Sequence, residues 1–207
     1  MSLTDEQNAK MRGIAARAKA LILTPKAEWA VIDGERPTTR ELYTGYVMIL
    51  AAIPAVCSVI GGLIFSGSAW ALVGFSPVSI IVSGIVSYGL ALAGVFVMGL
   101  LIETIAPSFG GVKDRSQAMK VAAYFPTAAW LAGVFNLVPG IAVLTILGLY
   151  SLYLLYLGLP RLMKVAQDKA LVFTLVVILA AIVVEVLIFT LVGAARVSLM
   201  PVAGGLY

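Results

Sequence analysis

Five apolar runs, each long enough to cross a bilayer, restrict what this chain can fold into more than any other feature. They cover about 44–65, 78–105, 121–138, 140–159 and 170–195. A helix needs ~20 predominantly apolar residues to cross the hydrocarbon layer, whereas barrel strands alternate over ~10 residues. These runs are continuous, and with 61% hydrophobic and 12% charged residues the chain is too apolar for a soluble globule. The expected fold class is all-α membrane protein: a bundle of five transmembrane helices preceded by a cytoplasmic amphipathic helix. The expected parts are an N-terminal segment (1–42), the bundle (43–196) and an extracytoplasmic tail (197–207). No secretory leader is expected, because the first apolar run follows some 40 mixed residues rather than a short basic stretch.

The basic residues orient the bundle. Seven precede the first run: Lys10, Arg12, Arg17, Lys19, Lys26, Arg36 and Arg40. The connection after run one has none, the next has Lys113, Arg115 and Lys120, the corner at Pro139 and Gly140 has none, and the last has Arg161, Lys164 and Lys169. Lys and Arg favour the cytoplasmic side. The alternation predicts a cytoplasmic N-terminus and an outside C-terminus.

Within the N-terminal segment, Thr4 as N-cap, Asp5 and Glu6 in the first turn and Gln7 three residues on predict a helix start. Met11, Ile14, Ala15, Ala18, Leu21 and Ile22 then recur at helical spacing, with Lys10, Arg12, Arg17 and Lys19 largely on other faces. Two placements stay open: a helix lying on anionic inner-leaflet lipids through those four basic residues, or a cap packed on the cytoplasmic loops. Thr24 and Pro25 predict a second N-cap and N1 pair, with Trp29, Tyr43 and Tyr46 at the interface.

Inside the runs, Ser79, Ser83, Ser87, Ala91, Gly99 and Glu103 share one i, i+4 row, interrupted by Val95. Small residues in such a row allow close helix approach. Pro54 and Pro126 predict kinks. Tyr150, Tyr153 and Tyr156 form a stripe that reads as core with an interfacial end.

Two carboxylates fall inside the runs. At ~1.5 Å per residue, Glu185 sits roughly 22 Å from the cytoplasmic end of its run and Glu103 only about 3 Å from the end of its own, too far apart to act together. Glu103 should reach water, Lys120 or Arg161. An intramembrane acid must face protein or a wet cavity, so Glu185 is expected in neutral form, hydrogen-bonded to Tyr88 or Tyr150 with Ser58 nearby. Together with Glu103 and Tyr124 these residues make up the candidate polar or ion site.

Catalytic signatures are absent. The chain has no histidine, and Cys57, its one cysteine, lies inside the first run. "PSFGGVKDRSQ" lacks the spacing of a phosphate-binding loop, and no nucleophile elbow, metal-ligand cluster or nucleotide fingerprint occurs. No enzyme activity, cofactor, metal or nucleic acid is expected.

The stretch from Ala118 to Leu171 resembles the membrane domain of the Yip family, named for interaction with Ypt/Rab GTPases. The resemblance is carried by "AYFP" at 123–126, "VPG" at 138–140 and "LYSLYLLYLGL" at 149–159, with "GGVK" before the third run and "TPKAEW" before the first. It extends over residues 20–195 and implies five spans with a cytoplasmic N-terminus. In eukaryotic members it implies association with a Rab-type GTPase. This chain lacks their long cytoplasmic region and is similar to the compact prokaryotic type, and the family has no catalytic residues to carry over.

Two functional expectations follow. One is a non-enzymatic inner-membrane scaffold that recruits partners or organises the bilayer. The other is transport of a proton, cation or small solute through the site around Glu185; five helices are few for that, so a homo-oligomer would be needed.

Overall fold

The computed structural model describes residues 3–65 and 76–198, with side chains at 13–65, 76–138 and 140–194. The side chains of Lys10 and Arg12, the loop 66–75 and the tail from 199 lie outside the described residues. Among the described residues all regular elements are helical: α1 (Leu3–Leu23), α2 (Pro25–Gly34), α3 (Thr39–Leu42), α4 (Met48–Phe65), α5 (Pro77–Ile105), α6 (Arg115–Tyr124), α7 (Thr127–Ala132), α8 (Tyr150–Leu162) and α9 (Gln167–Ser198), with π and 3-10 turns between some of them.

Five segments among the described residues are long and apolar enough to cross a membrane: Thr39–Phe65, Pro77–Phe109, Arg115–Leu137, Gly140–Leu162 and Gln167–Ala194. The first begins five residues before the expected 44, because a capping box starts the helix in polar sequence. Thr38 N donates to Glu41 Oε2 (2.7 Å), and Glu41 N donates back to Thr38 Oγ1 (3.2 Å). Likewise Asp114 accepts from Gln117 N at 3.0 Å and starts the third span at Arg115. The second span opens on Ser76 and Ser79, which cap each other reciprocally ahead of Pro77. Thr24 departs from expectation: its hydroxyl donates to Ala20 O rather than capping α2, although Pro25 does occupy the first turn.

Proline acts differently at its two sites. Pro126 separates α6 from α7, since a ring without an N–H cannot continue the ladder to Ala122. Pro54 stays inside α4. It lies so close to Gly133 that a Cβ there would stand 2.5 Å from the proline ring, so the first and third spans touch almost backbone to backbone. The first half of the fourth span, Pro139–Leu149, is wound as 3-10 helix.

The third span is the hub. In its apolar stretch 67% of residues are buried, against 17 to 28% in the other four spans, so it faces protein and they face lipid. α5 admits neighbours through small residues on more than one face: Gly99, from the predicted row, lies against Met119 of the third span, while outside the row Gly84 lies against Val59 of the first and Gly94 against Val184 and Ile188 of the last. Its serine hydroxyls bond back to their own helix, Ser83 to Ile80 O and Ser87 to Gly84 O, which spares those donors a search for partners in hydrocarbon.

The N-terminal segment packs on this bundle. Ile14, Ala18 and Leu21 of α1 are buried, as are Trp29 and Ile32 of α2. The apolar face of α1 over residues 14–21 is therefore spent on protein contact rather than lipid, as in the cap arrangement. Trp29, expected at the interface, is fully buried. Of the two interfacial tyrosines, Tyr46 is buried and Tyr43 is half-buried, donating to Leu92 O at 2.9 Å.

Candidate functional site

Polar chemistry concentrates where the N-terminal segment meets the third and fourth spans. Arg17 of α1 reaches across α2. Its guanidinium pairs with Glu28 at 2.5 Å and with Glu35, and stands 5.7 Å from the centre of the Tyr124 ring. Burial alone would lower the Arg17 pKa; the hydrogen bond to Glu35 and the charges of Glu35 and Glu28 outweigh it and raise it. A raised basic pKa stabilises the fold at every pH below the free arginine value, so this clasp is constant across the physiological range.

Lys120 forms a second clasp. Only 1% exposed, it donates through Nζ to Ile32 O (2.6 Å), Asp33 O (3.3 Å) and Glu35 O (2.8 Å). These carbonyls belong to the last turn of α2 and the residue after it, where backbone acceptors lack helical partners and the dipole favours a cation. Asp33 completes the arrangement by accepting from Lys164 (2.6 Å) and Gln117 (3.3 Å). Three separate regions of the chain are thus tied at one point.

Beneath the clasps lies an aromatic cluster. Trp29 meets Tyr124 edge-on with centroids 6.5 Å apart, and Tyr46 meets Tyr124 at 4.8 Å. An open cleft of about 260 Å³ runs over it between α1 and the start of the first span, lined by Ile14, Arg17, Pro37, Glu41, Tyr46 and Tyr124 among others.

Thr127 Oγ1 donates to Tyr124 O (2.5 Å), which leaves Tyr46 as donor in the 2.9 Å contact between the two hydroxyls. Replacing Thr127 with valine is expected to cost more than replacing Tyr46 with phenylalanine, roughly 1–3 against about 1 kcal/mol, since only the former strands a buried hydroxyl. Thermal unfolding in detergent reads the order.

Of the residues expected around Glu185, few come together. Glu185 itself is exposed on the outer side of α9. Tyr88 donates instead to Met48 O (3.0 Å) and Tyr150 to Ile22 O (3.0 Å), so the expected bond from Glu185 to either tyrosine is not formed. Ser58 is half-buried on the first span, and Tyr124 belongs to the aromatic cluster. Glu103 lies 3.8 Å from Arg115 rather than reaching Lys120 or Arg161. Of the expected lipid-facing cations, Arg17 is drawn inward and Lys19 is exposed. The sequence reading missed Lys120, whose one signal is its place directly before the apolar Val121.

A family model describing the Yip1 domain matches residues 19–192, which takes in α2, the first four spans, all but the last two residues of the fifth, and the Lys120 clasp, while Arg17 lies just ahead of it. The chain belongs to the Yip1 family. Among curated relatives, the inner membrane protein YohC of Escherichia coli strain K12 is 32% identical over 159 residues, 72% of this chain and 80% of the relative. The same protein from E. coli O6:H1 matches equally. No solved structure matches. This Yip1-family chain is an integral membrane protein with an inner-membrane relative, and its Lys120 clasp and aromatic cluster fall inside the matched domain.

Proposed function

We propose that this protein is a non-enzymatic membrane scaffold that recruits an acidic partner protein to the face formed by its N-terminal segment, with that face in the cytoplasm. One observation carries the reading: at this end of the bundle most acids are paired or capping, while most cations are exposed. Glu28, Asp33, Glu35 and Glu103 are turned inward, with side chains 15 to 31% exposed, each beside a cation of the same chain. Asp114 caps α6, and the two exposed acids among the described residues at this end, Glu41 and Asp168, sit in the first turns of α3 and α9, Glu41 within its capping box. Meanwhile Lys19, Lys26, Arg36, Arg40, Lys113 and Arg161 are exposed. The surface left for a visitor is basic, and such a surface steers acidic partners and rejects basic ones.

Rigidity supports the same reading. A segment held by Arg17, Lys120 and the aromatic cluster presents its cations in fixed positions, so little ordering is needed on binding.

Photo-crosslinking groups placed at positions 26 and 36 in the native membrane test it. A discrete protein adduct is expected from both, reduced roughly tenfold when Lys26, Arg36 and Lys113 are changed together to glutamate, and weakened by added salt. Adducts to lipid alone, or protein adducts indifferent to the charge reversal, would overturn the scaffold reading.

A further inference from the structure

We propose that α9 carries a self-association face, along which two copies lie side by side with Glu185 of each opposite the same residue of the other. Four observations lead there.

Glu185 is exposed, and no described residue offers it a hydrogen bond or an opposite charge. Its position is deep. Lys169, the nearest described basic residue on its helix, is roughly 24 Å away at ~1.5 Å per residue, beyond the reach of its side chain. Lipid tails cannot satisfy a carboxyl, which costs roughly 3 kcal/mol or more at that depth, so something polar must cover it.

The chemistry of the cover follows from symmetry. A second copy inserted in the same membrane has the same topology and depth, so a two-fold axis normal to the bilayer brings identical residues face to face. A neutral carboxyl has one O–H donor and spare acceptor capacity. Two of them complete each other's hydrogen bonding, as a carboxyl beside an aliphatic surface cannot. A foreign partner would have to bring its own polar group to the same depth, which a second copy does by construction.

Shape agrees. Leu171, Leu175, Ile182, Glu185 and Phe189, with Ile178 between, follow one another in steps of four and three, the spacing that keeps one seam facing a partner in left-handed pairing. Leu171, Leu175, Ile182 and Phe189 are 51 to 81% exposed, Phe189 the most, and Ile178 is half-buried against the core. A single polar residue in such a seam fixes register.

The test uses the full chain in liposomes, in a Cys57→Ser background. Energy transfer between labelled copies, followed as lipid dilutes the protein, gives the dissociation constant. Glu185→Gln keeps a donor and an acceptor and should hold it within about twofold, while Glu185→Leu should weaken it roughly tenfold. Because Glu185 is exposed, helix content should be the same in all three. Separately, Phe189→Cys should crosslink copy to copy and Val183→Cys, exposed on the other side of α9, should not. A protein that stays monomeric at all dilutions overturns the proposal, as does self-association unchanged by Glu185→Leu or crosslinking through 183 instead of 189. Glu185 and Phe189 lie roughly 24 Å or more along α9 from Lys169 at its basic end, so failure of this face would leave the recruitment reading untouched.

Discussion

Trp29→Ala is expected to lower stability by roughly 3–5 kcal/mol, the range for removing a large buried aromatic side chain. The indole is fully buried, and its Nε1 has no hydrogen-bond partner among the described residues, so its contribution is packing. The slot it fills is made by Gly158 of α8. A Cβ on Gly158 would stand 2.6 Å from Trp29 Cζ2 and 2.8 Å from Cε2 and Cη2, with a rigid ring system that cannot step aside. Gly158→Ala is therefore expected to cost roughly 1–3 kcal/mol by overpacking. The two changes are coupled: Trp29→Phe removes part of the bicycle that the new methyl would strike. Combined with Gly158→Ala it should lose less than the sum of the single losses, by about 1 kcal/mol in a double-mutant cycle. Denaturant unfolding in detergent supplies all four values. Strict additivity would mean that α2 does not seat in α8 at this point.

That contact shows where sequence reading stops. The five spans are legible because each buries or exposes an unbroken apolar run, and length alone decides the element. The break at Pro126 is legible because a missing N–H acts locally. Trp29 is different: in "PKAEWAVI", an aromatic among charged residues reads equally as an interfacial anchor, and only a glycine 129 positions later makes room to bury it. Lys120 is hidden for another reason. The positive-inside rule accounts for a lysine beside a span so completely that nothing marks this one as buried. Its position just before Val121 is compatible with either fate.

Glu185 was legible in depth and illegible in direction. On a helix that is apolar all round, no periodicity says which side faces protein. The expectation that an acid points inward assumes that the protein concerned is one chain. In this fold the inner side of α9 is given to Phe173, Val177, Val184 and Ile188, and the carboxyl is left outside. Transport through a site of Glu185 and tyrosines loses its geometric basis, because Tyr88 and Tyr150 are engaged with backbone carbonyls of the first span and of α1.

Lys120→Met keeps the length and bulk of the side chain and removes only its charge and donors. It is expected to lower stability by roughly 2–3 kcal/mol, the value of hydrogen bonds from a buried charged donor, with the carbonyls around the end of α2 left short of partners. Glu35 O suffers most, since Lys120 Nζ is its donor at 2.8 Å, whereas Ile32 O also accepts from Glu35 N at 3.2 Å. The loss should be local before it is global: limited proteolysis should cut between α2 and α3, near residues 35–38, while the spans stay intact. Lys120→Arg should not rescue, because a planar guanidinium is too wide for a site that closes on a single nitrogen. Lys164 is the control. It bonds Asp33 on the same turn of α2 at 2.6 Å, but its side chain is 52% exposed. Lys164→Met should then cost no more than about 1 kcal/mol, as exposed ion pairs do, and leave the protease pattern unchanged. Equal effects at the two lysines would mean that charge near α2 holds the N-terminal segment. A large effect at Lys120 alone means that the buried ammonium is the pin on which the basic face is built.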